Sequence, residues 1–379
     1  MFTTNPILIS TPLMERPNDT LITNKDPQLC TGTCLFEDHH QRLEGIIDEY
    51  TKQVILAINY CIVSTAINLG GTVTNIINIV VFIKQGFADR MNISLMGLAI
   101  SDLGCLLTLQ WMNLCFNPLF RFSPKIPFDS LEVQYITGGW PHACFARTTG
   151  LITAYITAER CLCIAAPLKV KTILTHKRTT FVIVIIFVLM FGSTAPIYSV
   201  NLLGPKFYPG DPPVWNRTLI GLVFTENRDQ VEQITFALNN VFGYIAFLLV
   251  TIFTSVLVSK LRKNVRWRRD NAKSAISGGK QDVNALRDAR VIKMVTSIST
   301  IFIVCFFPVT IIFIGIMAVP GLGLVGRYSN MFHVTCSFGF ALETINSSVN
   351  LFVYLKMSSK FKATFDSVFR KRTLSNATV

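Results

Sequence analysis

Five charged side chains stand inside stretches that are otherwise without charge: Asp102, Arg147, Glu159, Arg160 and Glu343. A charge surrounded by hydrocarbon is costly. Such a group must pair, bind an ion, take up a proton or meet a ligand. Arg147 and Glu343 have opposite signs and belong to the outer half of the chain's apolar segments. Either they form a structural ion pair, or they hold opposite ends of a polar ligand such as a peptide terminus. His142, His333, Trp140 and Glu226 are weaker candidates for the same outer region. Nothing here suggests catalysis. The histidines (His39, His40, His142, His176 and His333) are scattered, whereas a zinc hydrolase needs them clustered. No organic cofactor is expected. A transporter's repeated halves and broken midplane helices are not evident either.

The elements that must position these residues are helices. Half of the 379 residues are hydrophobic and 15% are charged, against about 25% in soluble domains. Seven apolar stretches follow one another: 54–83, 91–116, 136–164, 181–203, 234–258, 294–319 and 331–355. Each reaches the ~20 residues that cross a hydrocarbon layer. Only helices satisfy their own backbone groups there. The spacing predicts an all-α bundle of seven transmembrane helices over 54–355. The third stretch is the least apolar, since it holds Gly138, Gly139, Pro141, His142 and Arg147.

The formal net charge is +13. In a soluble protein that would suggest nucleic acid. Here the basic residues lie between the apolar runs, densest from Lys260 to Arg290 and again from Lys356 to Arg372. Positive loops stay inside, so the N-terminus is expected outside, the C-terminus in the cytoplasm, and the chain in the plasma membrane without a nucleic-acid partner. Residues 1–53 then form an extracellular tail with more acids than bases. Asn18 and Asn216 head glycosylation sequons on the outer side, and Asn376 falls inside, where it stays bare. Met1 is followed by no basic-then-apolar leader, so the first span is expected to act as the insertion signal. Residues 356–379 form a cytoplasmic segment. In it Phe361, Phe365, Val368 and Phe369, set among lysines and arginines, predict a short helix lying on the bilayer. Thr373 and Ser375 are candidate kinase sites.

Several motifs occur in order along these stretches. They are Asn75 in the first; Leu98-Ala99-Ile100-Ser101-Asp102 in the second; and Glu159-Arg160-Cys161, then Pro167-Leu168, at the end of the third. Phe302 and Cys305-Phe306-Phe307-Pro308 lie in the sixth, and Asn350-Leu351-Phe352-Val353-Tyr354 in the seventh, with Phe361 seven residues further on. From about Asn75 to Phe365 the chain resembles the rhodopsin-like (class A) G-protein-coupled receptors. It is most similar to a divergent branch of invertebrate peptide-receptor-like and chemosensory receptors.

The resemblance implies roles. Asp102, with Thr149, Asn346, Ser347 and Asn350, corresponds to a site for an allosteric sodium ion; a protonated structural network is the plainer alternative. Arg160, beside Glu159, would be clamped by Asp288 at the foot of helix six until helix six swings out; the plainer alternative pairs Arg160 with Glu159 alone. Pro308 gives helix six a hinge, with Phe302 and Phe306 beside it. Tyr354 would hydrogen-bond inward after the change, or else is simply an interfacial tyrosine. The implied partners are an extracellular ligand, a heterotrimeric G protein at the basic third loop, arrestin and a receptor kinase. The sequence also departs from the family. No cysteine lies between Tyr198 and Gln233, so the usual disulfide to the top of helix three is doubtful. Ile186 replaces a tryptophan, helix five lacks proline, and Leu351 replaces a proline. His142 stands at the amine-binding position and Thr344 at the retinal-bearing one, which argues against a monoamine or a conventional opsin. The acidic tail and the long fourth-to-fifth loop suit a peptide, especially a basic one. A small chemosensory molecule is the alternative.

Overall fold

The structure, a computed structural model, describes residues 46–166, 170–208, 217–271, 279–323 and 326–370, with the side chains of 171, 264–271, 279–288 and 317 outside the description. Helix one runs Glu49–Gln85. It starts a turn before the apolar run because the Asp48 carboxylate caps it, accepting from the Thr51 N–H at 2.9 Å. It stops at Gly86, whose φ of +73° suits a residue without Cβ. Helix two is Arg90–Phe116, capped by Asp89. Helix three is composite: Ser130–Gln134, a wide π turn at Tyr135–Gly139, then Trp140–Ala165. Pro141 follows directly on the π turn and leaves the backbone ladder one donor short there; the Ile136 carbonyl accepts from the Tyr198 hydroxyl at 3.1 Å.

Helix four is His176–Thr194, with a further turn at Ile197–Val200. Helix five is Arg228–Asn271, and helix six is Gly279–Ala318 with Pro308 inside it. Helix seven is Ser329–Ser348 continued by Asn350–Met357. The surface helix is Ser359–Phe365, followed by a π turn. Five of the helices are long and apolar enough to cross a membrane by length and composition; helices three and seven are not among them. The reason is positional. Helix three packs against helices two, four, five and six, so its many threonines face protein rather than lipid.

The bundle is inverted relative to a soluble protein. Its exposed faces are apolar, as at Phe181, Val184 and Val188 on helix four and Val304, Ile311 and Ile314 on helix six. Its interior holds Asn68, Asn75, Thr149, Thr153 and Thr157. Helices in hydrocarbon gain by packing closely and by hydrogen bonding across the interface. Helices one and seven do both. A Cβ on Gly71 would lie 2.1 Å from Ser348 Oγ. The Asn75 amide donates to the Ser347 carbonyl at 2.7 Å, and Thr74 donates to the Ser348 carbonyl at 3.1 Å.

Between helices four and five lies an antiparallel hairpin, β1 (Asn201–Tyr208) and β2 (Arg217–Phe224), with Asn201 opposite Phe224 and Tyr208 opposite Arg217. The fourth apolar stretch was expected to continue as helix to Leu203. The helical turn stops at Val200 instead, because the Asn201 amide folds back onto the Ile197 carbonyl at 3.1 Å and onto Glu232 at 2.9 Å. Hydropathy cannot separate a helix end from an apolar strand that continues it. Asn18, Asn216, Pro167-Leu168, Thr373, Ser375 and the Ser274–Ala275–Ile276–Ser277–Gly278 part of the third loop lie outside the described residues.

Candidate functional site

In the half of the bundle beside the hairpin, expected to face outward, helices three, five, six and seven enclose a cavity of about 140 Å³ whose polar lining comes from Trp140, His142, Arg147, Asn239, Asn240 and Glu343. Of the two readings of Arg147 and Glu343, the structural ion pair does not form. Glu343 instead pairs with His142, Nε2 to Oε2 at 2.8 Å, with 4% of each side chain exposed. The other ring nitrogen of His142 lies 3.3 Å from the Cys105 carbonyl, and the Phe340 ring meets the imidazole edge-on at 5.4 Å. Helix geometry explains the outcome. Arg147 lies five positions along helix three from His142, so the two point about 140° apart. Arg147 faces helix five, where Gly243 leaves it room: a Cβ there would lie 2.9 Å from Nε. Its guanidinium stands 6.0 Å from the centre of the Phe313 ring, and its buried Nε has no hydrogen-bond partner among the described residues. His333 packs edge-on to Phe332 at 5.6 Å and, like Glu226, is not part of the cavity lining. Asn239 is a site residue that the sequence reading missed. Its signal was the Asn239-Asn240 pair in an otherwise apolar run.

Below the cavity, a smaller pocket of about 20 Å³ brings Arg147, Tyr244, Phe302 and Phe306 together. Phe302 and Phe306 stack with centroids 4.3 Å apart, one turn before Pro308. Gly150 on helix three gives Phe302 its place, since a Cβ there would lie 3.2 Å from the ring.

At mid-bundle Asp102 is fully buried. It accepts from Thr149 at 3.0 Å, Ser347 at 3.1 Å and the Asn350 amide at 2.7 Å. Ser101 shares a hydrogen bond with Thr149 at 2.9 Å. Three of the four expected partners therefore meet the carboxylate directly, while Asn346 is buried one residue before Ser347. One carboxylate with three neighbouring hydroxyls is an oxygen donor set that fits a hard cation such as sodium.

At the inner end Arg160 lies 3.5 Å from Glu159 and donates to Met91 Sδ at 3.1 Å. The Asp288 side chain lies outside the described residues. Arg160, Arg290 and Tyr354 line a cavity of about 230 Å³. Tyr354 is not interfacial: it is 1% exposed, packs between Phe82 and Phe361, and its hydroxyl has no partner among the described residues.

The hairpin is held to the foot of helix three's outer extension by polar contacts, not by a disulfide. Cys144 is unpaired and lies 2.9 Å from the Thr194 hydroxyl. The Glu132 carboxylate accepts from Lys206, Tyr208 and the Leu222 N–H, each at 2.7 Å. Phe128 bridges to Ile220, and backbone bonds join Asp129 and Pro127 to Ile220. Burial works to raise the Glu132 pKa, but these three donors outweigh it and hold the group below the ordinary glutamate value. Burial and the carboxylate together push the Tyr208 phenol up.

Residues 74–354 match the family described as 7 transmembrane receptor (rhodopsin family). Growth hormone secretagogue receptor type 1 of Oryctolagus cuniculus is 26% identical over 278 residues, 72% of this chain and 69% of that protein. Its Homo sapiens counterpart is 24% identical over 286 residues, 74% and 70% of the two chains. Tachykinin-like peptides receptor 86C of Drosophila melanogaster is 24% identical over 297 residues, 76% and 55% of the two chains. A match over most of the chain, on a seven-helix bundle with its buried aspartate and inner arginine in place, makes this protein a member of the rhodopsin family of seven-transmembrane receptors.

Proposed function

We propose that the ligand is an extracellular peptide, received in the outer cavity, and that its arrival activates a heterotrimeric G protein at the inner face. One observation carries this reading: buried and half-buried polar groups follow one another from one end of the bundle to the other. His142, Arg147 and Glu343 line the outer cavity, Asp102 and its partners hold the middle, and Arg160 and Tyr354 line the inner cavity. Helices three and seven supply nearly all of them. A shift of one helix against the other at the top therefore reaches the bottom as a repacking of the same two elements. The peptide assignment draws support from relatives whose names describe receptors for hormone secretagogues and tachykinin-like peptides.

The same reading places the N-terminus outside with glycans on Asn18 and Asn216, and the basic third loop inside. It gives the surface helix to the bilayer and the C-terminal segment to a receptor kinase and arrestin. It also places a sodium ion against Asp102, held by Thr149, Ser347 and Asn350, where it would neutralise the carboxylate and favour the unactivated packing. Ligand affinity should then fall with added sodium in the wild type and be indifferent to it in Asp102→Asn; indifference in both would leave Asp102 as a structural node.

The decisive experiment is guanine-nucleotide exchange on purified G protein, with the receptor in membranes and a peptide library as stimulus. Acceleration by a peptide, lost in Arg160→Ala, is expected. A response to small odorants alone would establish the chemosensory alternative. Silence to both, with the receptor folded, would remove the coupling.

A further inference from the structure

Among the described residues, Arg147 is the group in the outer cavity whose charge nothing offsets. The side chain is half-buried, with its Nε shielded and without a partner among the described residues, and a charge that gives up water without gaining a partner is destabilising. Among the described residues the one acid lining the cavity is Glu343, and it is already engaged by His142 at 2.8 Å. No acid among the described residues lines the smaller pocket beneath. Asn239, 4% exposed, is unsatisfied twice over: neither its amide nitrogen nor its amide oxygen has a partner among the described residues. Native interiors leave few such groups, and here they converge on one space.

We propose that this cavity takes a carboxylate, and that the peptide enters it by a free C-terminus. A planar guanidinium grips a carboxylate through two parallel N–H bonds. Beside it, an amide with a free donor and a free acceptor matches the C=O and N–H of the last peptide link. The adjoining wall is aromatic: Phe313 stands beside Arg147 and meets Phe236 edge-on at 5.9 Å, which suits an apolar last side chain. A cationic end is disfavoured, because Glu343 would have to give up His142 to receive it. The acidic tail can still attract a basic peptide body while the cavity receives its anionic end.

This inference rests on the receptor reading and is tested apart from it. The probes are N-acetyl-L-phenylalanine, its C-terminal amide, N-acetyl-aspartic acid α-amide and 2-phenylethylamine. Their binding to full-length receptor in nanodiscs is followed by saturation-transfer NMR and thermal unfolding. N-acetyl-L-phenylalanine should bind and stabilise, with the amide weaker by about tenfold or more, as loss of a charge-assisted contact requires. Arg147→Met should lose the preference for the acid over the amide, and Arg147→Lys should keep part of it. If Arg147→Met does not fold, the acid-to-amide ratio on the wild type decides alone. Equal binding of acid and amide, preference for the amine, preference for the aspartic side-chain carboxylate, or no binding by any probe would each overturn the proposal. Peptide-driven nucleotide exchange in the same preparation would show the receptor reading intact while the carboxylate assignment fell.

Discussion

His142 and Glu343 hold one another with 4% of each side chain exposed, and neither has a second ionic partner among the described residues. Removing one leaves the other desolvated and alone, a loss of about 3–5 kcal/mol in buried pairs, whereas replacing both with apolar groups removes the need for either. Thermal unfolding of purified receptor should therefore show a large drop for His142→Ala and a partial recovery for His142→Leu combined with Glu343→Leu. A double variant no more stable than the single would mean that the pair is not the unit of stability. Tyr354 presents the opposite case. Its buried hydroxyl has no partner among the described residues, so Tyr354→Phe removes a group that this packing leaves unsatisfied. Melting should hold steady or rise slightly, while agonist-driven nucleotide exchange falls if the hydroxyl finds its partner only after helix six moves.

At the scale of elements, the hairpin is the part whose attachment is least expected. A two-stranded hairpin is marginal by itself. This one borrows order from Glu132, which ties both strands to the extension of helix three. Its folded pKa lies below the ordinary value, so the latch adds stability above the unfolded glutamate pKa and loses it as pH falls through the folded one. Protection from hydrogen exchange in 201–208 and 217–224, taken relative to the intrinsic rate at each pH, should be high at neutral pH, fall on acidification below the usual glutamate range, and be low throughout in Glu132→Ala. Reducing agent should leave it unchanged, since no cysteine lies between Tyr198 and Gln233. Acceleration by reductant would show that the latch is not what holds the hairpin. Helix six carries the second elemental feature. Pro308 interrupts its backbone ladder, and the stacked Phe302–Phe306 pair sits just before that point. Filling Gly150 on helix three would press on Phe302, with a Cβ at 3.2 Å. Gly150→Ala should shift basal nucleotide exchange while ligand-independent expression stays normal; unaltered exchange would separate this contact from the hinge.

For the whole molecule, the polar residues form one interior column and the apolar ones the exterior, the arrangement that lipid imposes. Signal passage needs no long-range wire through loops. Helix three touches helices two, four, five and six, and its outer and inner ends carry Arg147 and Arg160. A ligand that repositions the outer end acts on a strut common to most of the bundle. The inner cavity of about 230 Å³ beside Arg160 is the space that an outward swing of helix six would widen for a G protein.

The sequence by itself determined the class of the protein. Uninterrupted apolar length forces helices in hydrocarbon, and an isolated Asp102 or Arg160 within that length is too costly to be incidental, so the seven-helix class and the few costly side chains inside it were legible from one dimension. Thr149, Ser347 and Asn350 were recovered because their positions repeat a family pattern. Tertiary structure alone decided which charges meet. Arg147 and Glu343 have opposite signs, yet the rotation of helix three turns His142 toward helix seven and Arg147 toward helix five. The hairpin, too, emerged only in three dimensions: Leu202 and Leu203 are as apolar in a strand as in a helix, and Glu132 becomes a latch only when Lys206, Tyr208 and Leu222, more than seventy residues away, are folded back onto it. Pairing depends on direction and proximity, and a list of residues specifies neither until the chain has packed.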